Sequence, residues 1–76
     1  MDLIEKMIEA AKDSNSIDAI AIEDDLLRMD VEKAKGILLE FKQNHNIKLY
    51  YEFAKLLPKK DIFKKILAHE KKQAHK

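Results

Sequence analysis

Lysine is the residue whose number and spacing in this 76-residue chain could do chemistry. Lys55, Lys59, Lys60, Lys64, Lys65, Lys71 and Lys72 recur in near pairs, so a helix starting at Pro58 presents cations on two sides of a narrow apolar stripe. Phosphate contacts need that charge and no particular side-chain geometry, and the binding they give is salt-sensitive and indifferent to sequence. Tyr50, Tyr51 and Phe53 lie between Lys48 and Lys55, and nucleobases stack on such rings. The candidate nucleic-acid contacts, to single- or double-stranded DNA, are therefore Lys48, Lys55, Lys59, Lys60, Lys64, Lys65, Lys71, Lys72, Tyr50 and Tyr51. So small a core also needs aromatics, although Tyr50 and Tyr51 cannot both point fully inward.

Other chemistries lack their parts. His69 and His75 are six apart, whereas a helical zinc site wants histidines four apart, and no cysteine completes a ligand set. His45 stands alone at a helix end. The only glycine, Gly36, lies inside a helix, so there is no glycine-rich phosphate loop. No serine or cysteine sits beside a base; Ser14 and Ser16 read as turn and capping residues. The expectation is a protein with no catalytic residues, no metal and no cofactor.

Charge is divided along the chain. Residues 1–32 hold ten acidic and three basic side chains, a net of −7; residues 33–76 hold four acidic and twelve basic, a net of +8, giving the overall +1. Either the halves pair across the fold, each exposed pair being worth about 0–1 kcal/mol, or one end of the molecule attracts a polyanion. The acidic half offers a different activity, docking on a basic patch of a protein partner through Glu23, Asp24 and Asp25, with Asp18 and Asp30 nearby.

The elements that position these residues read as helices. The clearest is the stretch from Asp30 to His45, where Val31, Ala34, Leu38, Phe41 and His45 recur at steps of three and four and Ile37 and Leu39 widen the stripe. Asp30 caps its start, and Asn44, His45 and Asn46 end it through a left-handed asparagine. The first helix carries Leu3, Ile4, Met7, Ile8 and Ala11 on one face and opens with Asp2 and Glu5 in the form of a capping box. Residues 13–16 break it with short polar side chains.

Residues 17–29 fit a short strand through Ile20 and Ile22, or a helix on the ladder Ile17, Ile20, Ala21, Asp24 and Leu27; a helix over at least 22–28 is expected. Its successive acids Glu23, Asp24 and Asp25 suit a first helical turn or a solvated face. Residues 47–57 carry a helical period through Ile47, Tyr50, Tyr51, Ala54 and Leu57, with a strand as the competing reading for 47–53. Pro58 ends that helix and opens the next, whose core face is Ile62, Phe63, Ile66 and Leu67.

Four or five short helices with brief connections make a small all-α bundle, a single domain over residues 1–76 whose last few residues, 72–76, fray. The alternative is a winged helix-turn-helix, with residues 16–22 as a strand and a turn at Met29 and Asp30. No apolar run approaches the ~20 residues needed to span a bilayer, and the acidic amphipathic start is unlike a secretory signal, so a cytoplasmic protein without membrane contact is expected.

The Lys-, Glu- and Ile-rich style, the length and the phrase KDSNSIDAIAIEDDLL resemble the small early proteins of T-even bacteriophages, in particular the short accessory proteins encoded downstream of the UvsW helicase. That resemblance implies a role in recombination or replication in an infected bacterial cytoplasm, with a helicase as possible protein partner. It implies no functional residue.

Overall fold

The computed structural model describes residues 2–74, and these form five α-helices and one π-turn with no strand. Helix α1 (Leu3–Lys12) starts as the sequence dictates, with the Asp2 carboxylate accepting from the Glu5 N–H at 2.9 Å. It buries Ile4, Met7, Ala10 and Ala11, with Leu3 and Ile8 packed at the margin. The helix closes with Ser14 in a left-handed conformation (φ 50°), which lets the Asn15 and Ser14 N–H groups donate to the Ala10 and Ala11 carbonyls. Asn15 then caps α2 (Ser16–Arg28) by accepting from the Asp18 N–H at 3.0 Å. Residues 17–22 are therefore helical, and the winged alternative has no strand to build its wing.

Helix α2 is turned away from the expected ladder. Its buried positions are Ala19, Ile22, Glu23 and Leu26, while Ile17 is 79% and Ile20 45% exposed. The three acids lie in the middle of the helix rather than in its first turn; Asp24 and Asp25 are on its solvated face, as the other reading had it, and Glu23 faces inward.

Helix α3 (Val31–Glu40) is capped by Asp30, whose carboxylate accepts from the Glu32 N–H. It buries Ala34 and Leu38 and runs on into a π-turn (Phe41–His45) that starts at the fully buried Phe41. The wider hydrogen-bonded ring of a π-turn changes the phase of every side chain after it. Here it leaves His45 exposed instead of on the apolar stripe, and Leu39 also lies 41% exposed. No left-handed asparagine ends the segment. Asn46 is extended, and its side chain accepts from the Lys48 and Leu49 N–H groups as the cap of α4 (Ile47–Lys55).

Helix α4 buries Phe53, and Leu57 just beyond its end is fully buried. Pro58 does not open the last helix. Lys60 takes a left-handed conformation (φ 54°), and α5 (Asp61–Ala74) begins only after it. The last helix stays regular through Lys72, Gln73 and Ala74, where fraying was expected; residues 75 and 76 lie outside the described residues. Ile62 is its one fully buried side chain, Phe63 and Ile66 are partly buried, and Leu67, expected in the core, is 57% exposed.

The core draws on every helix: Met7, Ala19, Leu26, Ala34, Phe41, Phe53, Leu57 and Ile62 have no exposed surface. Packing is interleaved, with α1 lying mainly against α4 and α2, and α5 against α2 and α3. Two cross-links fix α5 on α2. The Glu23 carboxylate accepts from the buried Ile62 N–H at 3.1 Å, and the Lys65 ammonium donates to the Leu27 carbonyl at 2.9 Å. Each helix thus supplies a charged cap to an end of the other, negative at an N-terminus and positive at a C-terminus.

Candidate nucleic-acid interface

The expected lysines are all exposed, but their ammonium groups do different things. Lys60 donates to the Ala54 carbonyl at 2.7 Å and the Leu57 carbonyl at 3.0 Å, closing the C-terminal end of α4. Lys65 closes α2 in the same manner. Lys55 lies 3.4 Å from Glu52, one turn back on its own helix. Lys48, Lys59, Lys64, Lys71 and Lys72 have no ion-pair partner among the described residues. Lys64 and Lys71, seven residues apart, share the side of α5 opposite Ile62 and Ile66.

Helix α5 is held in place by pairs that leave this outer side clear. Lys35 of α3 lies 2.7 Å from Glu70, and the hydrogen bond to that carboxylate raises the Lys35 pKa above its ordinary value. His69 Nε2 lies 2.8 Å from a Glu32 oxygen. His69 is thus a tie between helices, His45 is a solvated residue of the π-turn, and His75 lies outside the described residues. Among the described residues no three His, Asp or Glu side chains come together as a metal site.

The aromatic residues form one connected cluster. Tyr50 meets Phe41, Tyr51 and Phe63 edge-on at centroid distances of 5.9, 5.3 and 6.3 Å. Partial burial raises the Tyr50 pKa, with Tyr51 adding to the shift. Tyr51 is 49% exposed. The Lys42 ammonium sits 5.7 Å from the Tyr50 centroid and 5.8 Å from that of Tyr51, within cation–π range of both. Lys42 escaped the sequence reading because the π-turn that delivers it to the rings breaks the helical spacing linking it to Tyr50.

The acidic candidates divide as well. Glu23 is a buried helix cap and is removed from any docking surface. Its signal was present in the sequence, since it shares a helical face with Ala19, Ile22 and Leu26. Asp24 pairs with Arg28 at 3.1 Å on the exposed side of α2. Asp25 lines a cleft of about 460 Å³ between α1 and α2 with Lys6, Glu9, Asp18, Ala21 and Ile22. Asp30 is engaged as the α3 cap.

Pairing across the charge divide is sparse. The Lys and Arg salt bridges among the described residues join Arg28 to Asp24 within the acidic half, and Lys35 to Glu70 and Lys55 to Glu52 within the basic half. Among the described residues only the His69–Glu32 contact crosses, and it is ionic only when the imidazole is protonated. No helix among the described residues is long and apolar enough to cross a membrane. No protein-family model matches the chain, and no curated protein or solved structure shows a significant match.

Proposed function

We propose that this protein is a non-enzymatic nucleic-acid-binding accessory protein whose lysine-rich second half lies along phosphates without sequence preference. The observation that carries this reading is that no lysine of the second half forms a salt bridge with a carboxylate of the first among the described residues. Apart from Lys35 and Lys55, which pair with Glu70 and Glu52, the lysines of residues 33–76 are thus not held in direct salt bridges among the described residues, and their charge supports contact with a polyanion. Lys64 and Lys71 on the outer side of α5, with Lys48, Lys59 and Lys72, are the cations that contact phosphate. Lys60 and Lys65 contribute charge while serving as caps. On the resemblance to T-even phage accessory proteins, the setting is recombination or replication in the infected bacterial cytoplasm.

Anisotropy titration of labelled single- and double-stranded oligonucleotides across a salt series tests the reading. Binding that weakens steeply with salt is expected, and the absence of binding at low salt, where phosphate contacts are strongest, rules it out.

A second reading, a protein-binding adaptor or inhibitor, rests on the cleft between α1 and α2. Glu9, Asp18 and Asp25 outnumber Lys6 there around Ala21 and Ile22, a charge balance suited to a basic side chain of a partner such as a helicase. Reversing Asp18 and Asp25 to lysine abolishes capture of such a partner under this reading, and leaves oligonucleotide binding in place.

A further inference from the structure

The outer face of α4 combines features that phosphate contact alone does not require. Lys48, Tyr51 and Lys55 lie at steps of three and four and so project from one side of the helix. All three are exposed, with Ile47, 53% exposed, beside them. Tyr51 does not serve the buried core: the fully buried aromatic of α4 is Phe53, and Tyr50 is the tyrosine that packs on Phe41 and Phe63. Tyr51 is braced from behind instead, by the edge-on contact with Tyr50 at 5.3 Å and by Lys42 near its ring. Glu52 is the one carboxylate of α4 and lies against Lys55, while Lys48 and Lys55 flank Tyr51 along the helix and Lys42 sits near its half-exposed ring.

Resting on the nucleic-acid reading above, we propose that Tyr51 is a stacking platform for an unpaired nucleobase, with Lys42, Lys48 and Lys55 holding the flanking phosphates. The occupant is a single strand because a base already paired and stacked in a duplex has no free face to offer the ring. The charge ring selects it over an apolar peptide, since a peptide side chain on Tyr51 leaves three lysines without counter-charge. Fixing the ring in advance, through Tyr50, also lowers the ordering cost of binding.

Three probes of equal length, about 12 nucleotides to fit one binding surface, separate the contributions: oligo(dT), a duplex, and an abasic phosphodiester strand. Tyr51→Ala weakens oligo(dT) binding roughly five-fold or more and changes duplex and abasic binding less than about two-fold. Tyr51→Phe retains wild-type affinity for all three. Lys48→Ala weakens all three together, because it removes charge. A Tyr51→Trp variant supplies a second measurement, in which oligo(dT) quenches the indole fluorescence and the abasic strand does not. Equal loss on all three probes for Tyr51→Ala, or no loss on any, overturns the stacking assignment while leaving phosphate binding in place. A wild-type protein that holds none of the probes at low salt overturns both.

Discussion

Replacing Glu23 by alanine isolates one of the contacts that seat α5 on α2. Glu23 is 7% exposed and its carboxylate accepts from the Ile62 N–H at 3.1 Å, where Ile62 itself is fully buried. Loss of a helix N-terminal cap costs about 1 kcal/mol. Leaving a buried N–H without an acceptor carries a penalty of about 1–3 kcal/mol, which overlaps with the first because one group is involved. The expected destabilisation is therefore about 2 kcal/mol, or roughly 8–16 °C in Tm for a domain of this size. Glu23→Gln keeps an oxygen in place and gives up only the charge at the helix end, about 0.5–1 kcal/mol. Thermal and urea melts followed by circular dichroism at 222 nm measure both. A Glu23→Ala protein melting within about 2 °C of the wild type refutes the argument, since the Ile62 N–H would then have lost nothing of value. The same reasoning means that charge reversal at Glu23 disturbs the seating of α5 as well as the surface charge, so tests of the acidic surface belong at Asp18, Asp24 and Asp25.

Lys64→Ala and Lys71→Ala leave Tm within about 2 °C and each flatten the salt dependence of oligonucleotide binding by roughly one unit of slope, whereas Lys60→Ala and Lys65→Ala, which strip carbonyls of a charged donor, cost about 1 kcal/mol in the same melts. Phe41→Ala empties a site with no exposed surface and costs about 3–5 kcal/mol, read as loss of cooperative unfolding at room temperature. Ser14→Gly relieves a left-handed serine, and Gly36→Ala adds a methyl that meets nothing within 4 Å in a helix of ordinary φ; each raises stability by about 0.5–1 kcal/mol in urea titration. In a Tyr51→Phe protein the remaining Tyr50 ionises above the ordinary tyrosine value, followed by absorbance at 295 nm. Because its folded pKa is raised and its neutral form favoured, the Tyr50 contribution to stability is intact below the unfolded value of about 10 and is lost as pH rises through the folded one.

The helices were legible where a local signal and the apolar period agreed. In α1 the Asp2 cap and the face of Ile4, Met7 and Ala11 state the same boundaries, and the structure keeps them. In α2 two ladders compete on one segment, and the richer in isoleucine, with Ile17 and Ile20, lost. The winning ladder contains Glu23, whose inward position makes sense only once the Ile62 N–H, 39 residues away, is beside it. The π-turn left no mark in the sequence, so His45 was assigned to the apolar face and Lys42 was not connected to the tyrosines. Pro58 carried a true breaking signal, but the restart was set by the Lys60 backbone and its two carbonyl acceptors rather than by proline chemistry. Exposed lysines were legible as a class. Which of them act as caps depends on the left-handed turn at Lys60 and, for Lys65, on a contact with α2 that no spacing encodes.

The interleaving of the helices dictates an order of assembly. Because α1 rests mainly on α4, and α2 receives its C-terminal cap from Lys65, the chain cannot close its core by adding one hairpin after another. In order of synthesis, the core side of α1 waits for α4, and Glu23 waits for Ile62. Until then the apolar faces of α1 and α2 are open to solvent and to one another, and the acidic side chains at Glu5, Glu9, Asp18, Asp24 and Asp25 repel neighbouring nascent chains through that interval. The acidic half thus precedes the lysines, which arrive together with the segment that completes the core.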